Sequence, residues 1–378
     1  MKTSNNAKTN LFDHSKAKVS LYSQYLSVYL NILSRATGID AVYIFDLMCG
    51  EGVYEDEERG SAIAALEEIR NFCNSNTELT TPIEIWLNDP SQSEIEPEMK
   101  KIERVRLYSE KIVMPDRVKI KYFDRNIDEL YPEVLKIIIS NKKSRSLVFI
   151  DPHGYRNTKP QQIRALLECG NSEVLLFMPA SFLYRFISIA EDPTFAASEA
   201  LRNLVFELYS QKPPPFSSVE GFIEGLKEKF QSYLSDLNIY VDTFTIERDP
   251  TNLYCLYFFT SNFRGFQKML EVKWKLDHQR GKGFRLDKTG DLFSVVEVNQ
   301  YPEKLLDYLK SKPYCTNIEL RLFGYKRGYL PKHTKEALEA LCNNGIHLEI
   351  SSLDNKPLDR KTYHLNSEDR LISISIKS

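Results

Sequence analysis

Apolar positions along the first half of the chain follow two alternating patterns. From Val19 they recur at Val19, Tyr22, Leu26, Tyr29, Leu30 and Leu33, the spacing of an amphipathic helix. Ala41-Val42-Tyr43-Ile44-Phe45 is then an unbroken apolar run stopped by Asp46. Further short runs occupy residues 83–87, 118–123, 147–150 and 174–178. Runs of this length, rich in β-branched and aromatic residues and closed by polar turns, predict strands of a parallel sheet buried on both faces. Helical spacing returns over 61–72, 95–105 and 161–169. Strands alternating with helices predict an α/β fold, a doubly wound and mainly parallel sheet of Rossmann-like type.

After Ala180 the pattern turns helical over roughly 181–238. Strands over 239–245 and 253–260 and a helix near 263–274 follow. The basic, glycine-rich turn Arg280-Gly281-Lys282-Gly283 predicts a boundary. The first domain then covers 1–280, with a core at 15–180 and a helical insertion and last strands at 181–280; the second covers 281–378. In the second, 302–309 reads as a helix. Thr316-Asn317-Ile318-Glu319 has capping-box spacing and opens another. A third, over 331–342, buries Thr334, Ala337, Leu338 and Leu341 and stops at Asn344-Gly345. Strand-like pieces at 347–351, 363–365 and 371–376 complete the pattern of a winged helix. Residues 1–14 read as a polar arm.

At 378 residues the chain is too long for one ordinary core, and 42% hydrophobic with 27% charged residues is a soluble globular balance. Fifty Lys and Arg against 52 Asp and Glu argue against a polyanion binder spread over the whole surface, and turn attention to local patches. One such patch is Arg321, Lys326, Arg327, Lys332, His333 and Lys335, around the third helix of the second domain. It suits phosphate contacts from a helix lying in a groove of DNA or RNA. Glu336 and Glu339 on the same helix suit docking to a protein instead. The six cysteines form no CxxC or His/Cys cluster, so no metal is expected, and their scatter fits a reducing cytoplasm. The N-terminus has no signal-peptide pattern and no run is long enough to span a membrane, so the expected location is cytoplasmic.

The chemistry is expected where the strands stop. Asp46-Leu47-Met48-Cys49-Gly50-Glu51-Gly52 follows the first strand, and its glycines let backbone approach a ligand at the sheet edge. The first four strands end in Asp46, Asn88-Asp89, Asp124 and Asp151. Carboxylates in that row would repel a pyrophosphate and suit a cationic nucleoside, which points to S-adenosylmethionine (SAM) rather than a dinucleotide. Asp46 is then expected near the amino-acid end, Asn88 or Asp89 at the ribose and Asp124 at the adenine; helix capping and strand termination are the structural alternatives. Asp151-Pro152-His153-Gly154-Tyr155 ends the fourth strand. A carboxylate and a proline-held carbonyl can accept the hydrogens of an exocyclic amine, an aromatic can stack on its base, and His153 can move a proton. Plain loop hydrogen bonding and packing are the alternatives for His153 and Tyr155.

These residues resemble the three-Cys-motif partner proteins, a bacterial family with a class I methyltransferase fold. The likeness runs from His14-Ser15-Lys16-Ala17-Lys18 through Asp46, Gly50-Glu51-Gly52-Val53-Tyr54, Gly60-Ser61-Ala62 and the Asp151-Pro152-x-Gly154 turn. It continues to Asn252-Leu253-Tyr254-Cys255-Leu256, Trp274-Lys275 and the winged-helix-like tail. The layout is also similar to large-subunit ribosomal RNA adenine-N6 methyltransferases, in the leading His/Lys helix, the delayed Gly-Ser helix start and an Asp-Pro-Pro-Tyr acceptor motif. The likeness implies that Lys18 and Ser61 reach the SAM site and that the acceptor is an adenine amine. Met48 stands where many such folds have a glycine, and His153 replaces the second proline, with the aromatic one place later. A non-catalytic protein working with a partner encoded nearby, and methyl transfer to a protein or small molecule, are the other functions this pattern allows.

Overall fold

The computed structural model describes residues 13–152, 159–187, 199–210, 213–249, 251–284, 300–352, 358, 362–367 and 369–377. Residues 1–12 of the expected arm, together with His153 and Tyr155, lie outside them. The chain divides into two units, Met1–Leu286 and Asp287–Ser378.

The first unit runs α1 (Asp13–Leu33), β1 (Val42–Asp46), α2 (Ser61–Ser75), β2 (Ile83–Asn88), α3 (Lys101–Ser109), β3 (Val118–Phe123), α4 (Ile127–Ser140), β4 (Arg145–Ile150), α5 (Pro160–Leu167) and β5 (Ser172–Met178). It continues through α6 (Ala180–Phe186), α7 (Glu199–Tyr209), α8 (Val219–Tyr233), β6 (Tyr240–Asp249), β7 (Asn252–Thr260), α9 (Phe263–Leu276) and β8 (Gly283–Phe284). One eight-stranded sheet has the order β3-β2-β1-β4-β5-β7-β6-β8. β1 to β5 are parallel, and β7 enters antiparallel against β5 and β6. β8 pairs with β6 from within the turn expected to mark the domain boundary.

Alternation along the strands assigns the two faces. Val42 and Ile44, Leu147 and Phe149, and Leu175 and Phe177 pack with α1, α2 and α9. Phe45, Val148, Ile150, Val174 and Leu176 pack with α4 to α8. Burying each such large side chain contributes about 1.5–3 kcal/mol. A column on α1 is the main packing feature near the site. Tyr22 stacks on Phe149 with centroids 4.4 Å apart. Tyr25 meets Phe258 edge-on, and its hydroxyl donates to Glu173 at 2.5 Å. Thr260 donates to the same carboxylate at 2.7 Å.

One expectation fails here. The helix foreseen over 95–105 starts only at Lys101. Residues before it form a loop closed by the Gln92–Lys100 bridge, and Pro97 lies in the loop.

The second unit comprises α10 (Tyr301–Lys310), β9 (Cys315–Thr316), α11 (Asn317–Lys326), α12 (Pro331–Asn343), β10 (Leu348–Ser352) and β11 (Ile372–Ile376). Thr316 Oγ1 accepts the Glu319 amide at 3.1 Å and Glu319 accepts the Thr316 amide at 2.8 Å, closing the foreseen capping box. Gly345, at φ +87°, ends α12 as expected. The strand foreseen over 363–365 is not one. His364 has φ +45°, and Asn317 Nδ2 donates to its carbonyl at 2.9 Å. β9 is the third strand instead, paired with β11 in the order β10-β11-β9. The core gathers Tyr301, Leu305, Leu320, Leu338 and Ile374.

Candidate functional site

Strand order reverses direction between β1 and β4, so the crevice beyond their carboxyl ends is the place for a ligand. Asp46 ends β1 and shares the α1 face with Ile44. Its register partner on β4 is Phe149, two residues before Asp151. α1 crosses this edge with Lys18 and Tyr22 one turn apart. Lys18 Nζ forms an ion pair with Asp151 and lies 4.6 Å from the centroid of Phe177. Phe177 in turn stacks on Tyr254 at 5.2 Å. Lys18 and Asp151 are mostly shielded, at 15% and 19% side-chain exposure, so this pair is held rather than loosely solvated.

Asp46 is fully buried, and by geometry neither of its carboxylate oxygens has a hydrogen-bond partner among the described residues. Burial pushes its carboxyl up to about 7. Ser61 opposes that rise, Asp151 adds to it, and Lys18 and the Met48 amide lower it. Ser61 Oγ also donates to the Cys49 carbonyl at 3.4 Å, and it is the largest of the influences that hold the Asp46 carboxyl down.

The turn after β1 has the backbone the glycines permit: Gly50 at φ +67° and Gly52 at φ +79°. A Cβ on Gly52 would fall 2.9 Å from Val105. α2 does not begin directly after this turn. Val53 and Arg59 close a small loop, Gly60 N donates to Gly52 O at 2.6 Å, and the helix opens at Ser61. Tyr54 stands over Gly50, its hydroxyl 3.4 Å from where a Cβ would be. Burial, and then Asp151, raise the Tyr54 hydroxyl pKa, so it stays protonated.

The remaining expected residues are placed differently from one another. Asn88 is buried, donating to Leu47 O at 2.9 Å and accepting the Arg125 amide at 3.0 Å. Asp89 accepts the Gly50 amide at 3.0 Å and the Ser91 amide at 2.9 Å, so it shapes the glycine turn itself. Asp124 is exposed and bound to Lys100 at 2.6 Å, which lowers its pKa. The Met48 side chain is half-buried beside the buried Cys49.

Sequence reasoning passed over Glu51. It is buried between the two glycines. It accepts Arg104 at 2.7 Å, Ser93 Oγ at 2.8 Å and the Glu94 amide at 2.7 Å. Arg104 also reaches the Glu51 carbonyl at 3.2 Å, so this pair fixes both the glycine turn and the loop before α3. The signal was a carboxylate set between two glycines that cannot shield it. Removing one partner of a buried pair strands the other, so Arg104→Ala is expected to destabilise the fold by about 3–5 kcal/mol. Urea unfolding measures this; a loss under about 1 kcal/mol would show that the pair is not buried in solution.

In the second unit, Lys326, Arg327, Lys332 and Lys335 are exposed. The Arg327 guanidinium lies 3.6 Å from the Phe323 centroid, and Lys335 is 3.6 Å from Glu339. His333 Nδ1 accepts the Leu330 amide at 3.1 Å, and burial lowers its pKa to about 4. It is therefore an uncharged helix cap at neutral pH, not a cation for phosphate.

A mixed α/β fold with a mostly parallel sheet that reverses between β1 and β4 fits a Rossmann-like methyltransferase fold. Among solved structures, the chain is similar to Trm1 from Pyrococcus horikoshii, solved with S-adenosyl-L-methionine. The match has 13% identity and a TM-score of 0.37, and covers 68% of this chain and 58% of that one. The chain thus spans little more than half of Trm1. It is also similar to a Legionella pneumophila protein (10% identity, 70% and 92% covered, TM-score 0.38). A third likeness is the O-methyltransferase TomG from Streptomyces achromogenes, solved with SAM (10% identity, 67% and 92% covered, TM-score 0.32). No protein-family model and no curated protein matches the chain.

Proposed function

We propose that this chain is a SAM-dependent methyltransferase acting on nucleic acid, with an adenine exocyclic amine as acceptor. The observation that carries this reading is the buried, unpartnered Asp46 carboxylate beside the glycine turn. Among the described residues Lys18 is the cation that Asp46 and Asp151 face, so with Asp46 ionised the pocket is net negative, which supports a cationic ligand. Asp46, the Met48–Gly52 backbone and Ser61 would hold SAM, with Asp89 setting the turn. When bound, SAM supplies an electrophilic methyl group.

The protein's part is orientation. Asp151 accepts an N–H of the acceptor amine, which turns the nitrogen lone pair toward the methyl group. Pro152 restricts the backbone beside it. Lys18 positions the Asp151 carboxylate and screens it from Asp46. A base within a duplex has to leave the stack to reach Asp151. Incubation with radiolabelled SAM and mixed DNA and RNA tests the reading: label enters nucleic acid. Cofactor binding without any transfer would refute catalysis on nucleic acid.

The second unit supports a nucleic-acid substrate. Its order of helix, strand, two helices and two strands supports the winged-helix reading, and Lys326, Arg327, Lys332 and Lys335 are exposed about α12. Lys326→Ala with Lys332→Ala is expected to weaken oligonucleotide binding and to reduce the log–log salt slope by about 2. Fluorescence anisotropy across a salt series checks this. An unchanged slope favours the second reading, a non-catalytic partner that docks protein through this helix. The Lys18–Asp151 pair, which occupies the acceptor carboxylate, also favours that reading.

A further inference from the structure

Tyr22 belongs to none of the expected sets, yet its hydroxyl is the second unpartnered polar group beneath the crevice. Its ring is fixed flat on Phe149, at an interplanar angle of 11°, and Phe149 is the register partner of Asp46. Burial and then the charge of Asp46 raise the Tyr22 hydroxyl pKa, in keeping with the adjacency that the Phe149–Asp46 register gives them. Both are fully buried, and by geometry neither has a hydrogen-bond partner among the described residues. A hydroxyl and a carboxylate left together in that way cost stability unless a shared partner completes them. The partner must bring more than one donor and a positive charge. Among the described residues, Lys18 is the cation shared by Asp46 and Asp151, and it is bound to Asp151.

We propose that Tyr22 and Asp46 together bind the α-ammonium group of the cofactor's amino-acid end, with Asp46 and the Tyr22 oxygen both accepting from it. Tyr22 is then a specificity-determining residue that reads the amino-acid portion and not the nucleoside. Both groups are closed to solvent. The inference rests on the SAM-binding reading above and adds to it a residue supplied by α1.

Calorimetry with two product-like probes tests it. S-adenosylhomocysteine carries the α-ammonium group; 5′-methylthioadenosine has the same nucleoside without it. Tyr22→Phe keeps the ring on Phe149 and removes only the hydroxyl. It is expected to weaken S-adenosylhomocysteine about tenfold or more and leave 5′-methylthioadenosine unchanged. Asp46→Asn is expected to give the same split, larger in size, and serves as the second variant if Tyr22→Phe folds poorly. Parallel losses for both probes, or no loss for either, would overturn the proposal, because a packing role cannot tell them apart. Wild-type protein binding neither probe nor SAM would instead refute the cofactor reading itself and take this inference with it.

Discussion

Asp151→Asn is expected to lower methyl transfer by about 10²–10³-fold, a larger effect than the loss of SAM affinity that follows from removing one of the pocket's negative charges. The asparagine keeps the shape of the side chain but presents one acceptor oxygen and two donors where the carboxylate presents only acceptors. An amine hydrogen then meets a donor or a weaker acceptor, and the nitrogen lone pair loses its aim. Losses of this order follow removal of a positioned polar group at a reacting centre. Lys18 loses its partner as well, in a place where its side chain is only 15% exposed. The variant should therefore lose a little stability too. Single-turnover transfer from labelled SAM to nucleic acid measures the effect. Transfer at the wild-type rate would mean that the acceptor amine does not use Asp151.

Asp46→Asn is expected to abolish measurable SAM binding and, in the ligand-free protein, to raise stability at alkaline pH. The folded carboxyl titrates at about 7 because burial disfavours its charge, against 3.8 for an unburied one. Between those values the folded chain holds the proton and the unfolded chain has released it. Wild-type stability therefore falls as pH rises from about 4 to about 7, and is level above that. The integrated cost is on the order of 4 kcal/mol. Asparagine carries no charge and avoids this cost. The variant should match wild type near pH 4 and exceed it progressively up to pH 8. Urea unfolding over that range reads the difference. A constant gap at every pH would show that the folded Asp46 carboxyl titrates like the unfolded one and is not raised by burial.

Much of the first unit was legible because burial repeats locally. The apolar runs at β1, β2, β4 and β5 align with the strands, since a strand covered on both faces has no room for polar residues. The Thr316–Glu319 box was legible for the same kind of reason, because both partners lie within one turn. α4 was not singled out, although Ile127, Leu130, Val134 and Ile138 have helical spacing and are buried. Pro132 sits within its first turns and obscures the pattern. The loop before α3 was misread as helix because its hydrogen bonds go to Glu51, some 40 positions away, and no local pattern announces that.

The order of chain elements, the acidic ending of each early strand and the glycine turn are properties of the amino-acid string alone, because each depends on neighbours a few positions apart. Which carboxylate keeps a cation is not. Lys18 meets Asp151 across 133 positions, Arg104 takes Glu51, and backbone amides consume Asp89, leaving Asp46 without an ion pair among the described residues. Only the folding of α1 across the strand ends decides that distribution. Charges of the same type at the same sheet edge differ in chemistry through whatever partner the topology brings within reach.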